Sequence, residues 1–335
     1  MTSRALVDGV HAAAATGLPP AVRSSTLRHL LLAVASVAAV ARAPRVRPLV
    51  EHALAQGGRA STPVPGRSEL FDAPGAALVV GSAAALGGGA AAAAPPAAAL
   101  TAPLTAPLTA QLAPVLGAAL PVLARDEADP DLLLDALALG VEVQVRVARA
   151  LEPSAAAAGW DRAGLVGPLG AAVTAGLLRR LPLDRLHHAV AIASSTTLGH
   201  GEAVGTDVGD LHPGKAAVGG LLAATLAAHG STGAPAVLDG PRGWFRAVAP
   251  DLDPATTGEV LVAGLGVDWV LAPGTDGAAD HGADQRLDRE ADAEAAALVE
   301  GVAPGRGSDL VRAVRALPEH GGCRSLLAAL RLEAP

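Results

Sequence analysis

The sequence predicts a mainly all-α protein, and three observations carry that prediction. Hydrophobic residues fill 51% of the 335 positions but aromatics only 1%. A core of that composition is built from Ala, Leu and Val, which suits close helix packing better than an aromatic-filled sandwich or barrel. Apolar runs of helical length are punctuated throughout by Gly and Pro. One segment, "DPDLLLDALALGVEVQVRVARALEP" (129–153), has an Asp129 cap, Pro130 at the first helical position and a stop at Pro153. Val141, Val143, Val145 and Val147 alternate as in a strand. Segment length and the Leu132 to Leu139 run decide for helix.

The remaining elements follow in chain order. Up to about residue 56 the pattern gives three helices, with a break at Leu18-Pro19-Pro20 and Pro20 opening the second. Residues 57–74 are polar and rich in Gly and Pro, and so form a connection. A helix before Gly87 leads into an Ala/Pro-rich stretch, 88–112, whose "TAPLTAPLTAQL" repeat is irregular or flexible because closely spaced prolines cannot continue a helix. The next helix starts near 113. "GLVGPLGAAVTAGLLRRL" and "LDRLHHAVAIASSTTLG" form a helical hairpin turned at Pro182. The spacing of Gly164, Gly167 and Gly170 resembles a phosphate loop, but no hydrophobic strand leads into it; these glycines allow close helix contact. A long Ala/Leu helix then opens with His212 near the cap and Pro213 at the first position. Two short helices and one strand near Trp269 follow, then a polar loop or linker over 272–292, then helices near 306–317 and 321–331.

Charge and cysteine usage exclude several function classes. The formal charge is -7 with no basic block, which argues against a nucleic-acid surface. The single Cys323 excludes an intrachain disulfide and a thiolate metal site and suits a reducing cytoplasm. Arg4, Asp8 and His11 interrupt the first segment, so no secretory signal is expected. No charge occurs from Ala73 to Ala124, yet Gly87 to Gly89 and repeated prolines break any membrane span there. Neither a cofactor nor a metal is expected. His187 and His188 are adjacent on a helix and point about 100° apart, and His200-x-Glu202 lacks the second histidine of a zinc helix.

Several segments, in order, resemble the MmgE/PrpD superfamily, which includes 2-methylcitrate dehydratase, cis-aconitate decarboxylase and iminodisuccinate epimerase. "GLPPAVRSSTLRHLLLAVASVAAVA" is similar to the family's opening and "GVEVQVRVARAL" to its Gly-Tyr-Glu-Val-x-x-Arg-Ile helix. "LHPGKAAVGGLLAATLAAHGSTGAPAVLDGPRGWFRAVAP" is similar to its Leu-His-x-Gly-[Arg/Lys]-Ala-Ala helix and the Gly-x-x-Gly-[Phe/Trp] turn beyond it. The resemblance implies a helical domain over 1–265, a vestigial lid or linker over 266–304 in place of the family's α+β lid, and C-terminal helices over 305–335 packing back on the helical domain. It also implies a homodimer and cofactor-free proton transfer on polycarboxylates. Most of the family's usual groups are replaced: its histidine and aspartates fall on Ala84, Gly89 and Ala90, another histidine on Asp161, and a lysine on Gly209. The ancestral dehydration or decarboxylation is therefore expected to be lost.

The expected site draws on segments that line the family's cleft: His200, Glu202, Asp161 and His212 for catalysis, Asp207 and Lys215 for substrate binding. His200 and Glu202, on a Gly-rich turn, could form a carboxylate-oriented imidazole. His212 would cap its helix or donate to an anion there. Lys215, the chain's only lysine, would serve the same ligand or pair with Asp210, the pairing being favoured. Two functions follow: a lyase or isomerase with a rebuilt pocket acting on a small organic molecule, or a non-catalytic paralogue kept as an assembly partner.

Overall fold

The computed structural model describes residues 2–87, 108–126, 128–152, 154–266, 268–272, 281–318 and 323–331. Helices dominate them, as the composition predicts, and the single sheet among the described residues is a two-stranded one. Helices α1 (Thr2–Thr16), α2 (Pro20–Val40) and α3 (Arg47–Ala55) open the chain. Pro20 stands at the start of α2, where a missing N–H costs nothing. The connection after α3 holds a small hairpin, β1 (Thr62–Pro63) against β2 (Leu70–Phe71), with Thr62 opposite Phe71. Asp72 Oδ1 then accepts the Gly75 N–H at 2.8 Å, starting α4 (Ala73–Gly87).

Helix α5 (Leu108–Arg125) begins five residues before the expected start near 113 and carries Pro114 and Pro121 inside it. The expected irregular segment lies outside the described residues up to 107; its last part, 108–112, is helical. Helix α6 (Pro130–Leu151) is capped as the sequence predicts, with Asp129 Oδ1 accepting the Asp131 N–H at 2.8 Å. It is buried along nearly its whole length. The short α7 (Ser154–Ala157) leads to α8 (Arg162–Leu178), α9 (Leu183–Ser194) and α10 (Asp207–Ala228). Pro182 turns α8 into α9 as expected.

Helix α10 is the hub. It packs against α4, α5, α8 and α9, and glycines permit that closeness. A Cβ on Gly81 would stand 2.8 Å from the Gly214 Cα, one on Gly117 2.8 Å from the Ala217 Cβ, and one on Gly167 2.8 Å from the Ala216 Cβ. The start of α10 corrects the sequence reading: Thr206 is the cap, with its Oγ1 accepting the Gly209 N–H, and both His212 and Pro213 lie inside the helix. Thr206 supplies the β-region backbone and hydroxyl that a cap needs, ahead of acidic Asp207 and Asp210 in the first turn.

Beyond α10 come α11 (Trp244–Val248) and α12 (Pro254–Val262). No strand forms at Trp269 among the described residues; a buried ion pair organises the segment instead. Arg146 and Glu142, on adjacent turns of α6, bond at 2.6 Å. The Arg146 guanidinium also donates to the carbonyls of Ala263 and Asp268, and Glu142 Oε2 accepts the Val270 N–H at 2.8 Å. A loop that could have extended as a strand thus has its backbone groups satisfied by two side chains.

The second correction concerns 272–292. From His281 to Glu300 the chain forms a 20-residue helix, α13, packed on α2. Its apolar side consists of Ala291, Ala295 and Val299, buried at four-residue spacing within an otherwise polar composition. Asp288 of α13 accepts from Arg28 of α2 at 2.9 Å and from Arg315 at 3.2 Å, and Arg315 also meets Asp292 at 2.7 Å. Arg315 ends α14 (Gly307–Arg315), so charge pairs join α2, α13 and α14. The last helix, α15 (Cys323–Leu330), contacts α5 and α14. Among the described residues no helix is long and apolar enough to cross a membrane.

Candidate active site

Two loops meet at the N-terminal end of α8. Asp161 N–H donates to the Gly199 carbonyl at 3.0 Å and Gly201 N–H to the Gly159 carbonyl at 2.8 Å, so Trp160 and His200 face each other as an isolated antiparallel bridge. A third bond comes from proline chemistry. Pro168, inside α8, has no N–H to offer the carbonyl four residues earlier, that of Gly164. Leu198 N–H takes that place at 3.1 Å. The loop after α9 is therefore pinned to the first turn of α8.

Pinning brings Asp161 to His212. Asp161 caps α8, its Oδ2 accepting the Gly164 N–H at 2.8 Å, and the same oxygen lies 3.0 Å from His212 Nδ1. Both side chains are largely buried, at 17% and 7% exposed. A carboxylate is acceptor-only, so the shared proton sits on Nδ1 and the lone pair of the neutral ring is on Nε2. Among the described residues no partner is bonded to Nε2. A carboxylate-oriented imidazole with a free basic nitrogen is the arrangement that removes a proton from a substrate.

The expected pairing of His200 with Glu202 does not form. His200 stacks on Trp160, ring centroids 5.9 Å apart and planes 18° apart, and Glu202 is exposed on a single 3-10 turn, Gly201–Ala203. The rigid ring of Trp160 offers His200 a flat surface, which a two-residue step to Glu202 through Gly201 cannot match. Asp207 is exposed and paired with Arg45 at 3.1 Å. Asp210 likewise pairs with Arg45, not with Lys215 as expected. The two residues lie five positions apart on α10, hence on different faces, which explains the miss. Burial pushes the Asp210 carboxyl above its ordinary value, the nearby Arg45 charge opposing the shift.

Lys215 therefore has no acid partner among the described residues. It is half-buried, and that burial pulls its pKa below the ordinary lysine value. Three residues after His212 it lies one turn along the same helix, on the neighbouring face. Val208 and Leu222, which share its side of α10, are 57% and 48% exposed. Helix α10 thus carries a base, a cation and exposed apolar residues along its length. Trp244, whose Nε1 donates to Thr197 Oγ1 at 2.6 Å, braces the pinned loop from behind. Sequence reasoning passed over Trp160, Thr197 and Trp244 in this role; the signal was an aromatic content so low that each tryptophan is notable.

Residues 105–257 match the family model of the MmgE/PrpD N-terminal domain. That match supports membership of the MmgE/PrpD superfamily. No curated protein matches it. The MmgE/PrpD segment contains Asp161, His200, Glu202, Asp207, His212 and Lys215, so every candidate side chain lies within the matched span, whereas α1 to α4 and α13 to α15 lie outside it. Of the candidates, Asp161 and His212 are bonded to each other, and Trp160 connects His200 to the same loop pair. Among the described residues no cluster of three or more His, Cys, Asp or Glu side chains is placed to hold a metal ion.

Proposed function

We propose that this MmgE/PrpD chain is a cofactor-independent lyase or isomerase that moves a proton on a small organic substrate, one carrying a carboxylate, with His212 as the base. The hydrogen bond from His212 Nδ1 to Asp161 Oδ2 carries this reading. In the proposed step, His212 Nε2 takes a proton from the carbon next to the carboxylate. The C–H electron pair passes into the enolate, the new imidazolium is held by the Asp161 carboxylate, and the Lys215 ammonium offsets the growing charge. The proton then returns to carbon, giving isomerisation, or the enolate expels a leaving group, giving a lyase. His200, on its Trp160 platform, and Glu202 stand at the rim, and Asp207 holds Arg45 beside the helix start. A reducing cytoplasm suits the buried, unpaired Cys323.

The test incubates the protein in heavy water with citrate, 2-methylcitrate, cis-aconitate and simpler carboxylates, and follows deuterium entry into carbon by mass spectrometry. Incorporation that disappears in His212→Ala supports the reading. Incorporation that persists in that variant, or none with any substrate, removes it.

A second reading, a non-catalytic assembly partner including a homodimer, is favoured by one observation: Val208, Leu222 and Leu226 leave apolar surface open along α10. A monomer at all concentrations in sedimentation runs would exclude the homodimer.

A further inference from the structure

A cavity lies away from the dyad, lined by α1, by α9 from Asp184 to Ala191 and by residues 233–238, with a volume of about 100 Å³. One water needs only about 10–15 Å³ of such space, so the cavity holds several non-hydrogen atoms. Val190, Ala191 and Leu238 give it buried apolar wall. Among the described residues, two donors in its lining have no acceptor. His188 Nδ1 accepts the Gly233 N–H at 3.3 Å, so the proton of the neutral ring is on Nε2. Arg4 lines the same cavity and has no carboxylate or hydrogen-bond partner among the described residues.

The other polar groups are committed. His187 Nε2 bonds Asp8 Oδ1 at 2.7 Å, joining α9 to α1 and fixing the cavity wall. Asp184, beside Arg185 at 3.7 Å, is 70% exposed and belongs to the rim. A guanidinium and a neutral N–H over an apolar wall match one negative charge with a short alkyl group behind it. A phosphate dianion would set its second charge near Asp184 and gain nothing from the wall. We infer that this cavity binds a short-chain monocarboxylate, the charge held by Arg4 and His188 and the alkyl group against Val190 and Leu238. The pocket is distinct from the proposed active site: Asp161, His212, Lys215 and the turn from Leu198 to Gly201 take no part in its lining.

Calorimetric titration of the full chain with sodium butyrate, butan-1-ol and inorganic phosphate tests this, with histidine ring protons followed by NMR. Saturable butyrate binding is expected, at least tenfold tighter than butanol or phosphate, with the His188 ring signals moving. Arg4 is exposed, so Arg4→Gln keeps the fold, and it should weaken butyrate about tenfold. His212→Ala should leave it unchanged. The inference is overturned if butyrate does not bind, if butanol or phosphate binds as tightly, or if Arg4→Gln has no effect. It is also overturned if His212→Ala abolishes binding, which would place the ligand at the dyad; loss of deuterium exchange alone would not touch it.

Discussion

Asp161 Oδ2 serves two donors at once, the Gly164 N–H at 2.8 Å and His212 Nδ1 at 3.0 Å. One oxygen therefore starts a helix and sets the protonation of a ring carried by another helix. The two roles respond differently to substitution. Asparagine is as good a cap as aspartate, but it cannot offset an imidazolium charge. Asp161→Asn should hold stability within about 0.5 kcal/mol while proton-transfer rates fall about 10²–10⁴-fold. Asp161→Ala should lose about 1 kcal/mol of stability as well. Thermal melts and deuterium exchange, run side by side, separate the two effects.

The Gly164 carbonyl accepts Leu198 N–H because Pro168 supplies no competitor. In Pro168→Ala a helical N–H returns to compete for that oxygen. The expected outcome is faster amide exchange at Leu198, with a lower proton-transfer rate. Overall stability should change little or rise, since alanine suits a helix interior. Unchanged exchange at Leu198 would show that the loop is held by its other bonds alone.

Arg146 holds the carbonyls of Ala263 and Asp268 and the carboxylate of Glu142 in a buried position. Arg146→Met keeps the volume but leaves that carboxylate and both carbonyls without their donor. A loss of about 3–5 kcal/mol is expected, read from denaturant unfolding. Backbone amides over 263–272 should lose protection first.

Cys323 is 4% exposed, and burial, aided by the Asp129 charge, pushes its thiol up to about 11 from an ordinary value near 9. The folded chain keeps this proton between those values while the unfolded chain releases it. Its contribution to stability is therefore intact below about 9 and is lost as pH rises through about 11. Alkylation at pH 8 should be negligible in the native protein and rapid in denaturant. Equal rates in both states would contradict the burial.

Much of this arrangement was legible in the residues. The Asp129-Pro130 start of α6 and the turn at Pro182 carry local chemistry that needs no tertiary partner, and both form as read. Helix α13 was hidden because alanines, not large apolar residues, mark its buried side, and because Asp288 and Asp292 draw their partners from distant α2 and α14. The start of α10 was misplaced because Pro213 reads as a first-turn residue, whereas tertiary packing holds it in the interior. The coupling of Asp161 to His212 spans 51 residues. A capping aspartate is visible in sequence; the identity of the second donor depends on how α8 and α10 cross. Proximity along the chain favours a pairing of His200 with Glu202, which a stacking tryptophan outweighs.

Three backbone bonds anchor the turn between Leu198 and Gly201, and that leaves it no slack. One residue inserted there would turn the ring of His200 off its tryptophan and pull Gly199 from Asp161. The constraint runs on to α10: Val204 N–H and Thr206 N–H bond back to Gly201 and Ala203, Gly205 has φ +84°, and Thr206 is the cap. Redesign of what the protein accepts should begin with substitution at exposed Glu202, which changes a side chain and leaves the length of this stretch untouched.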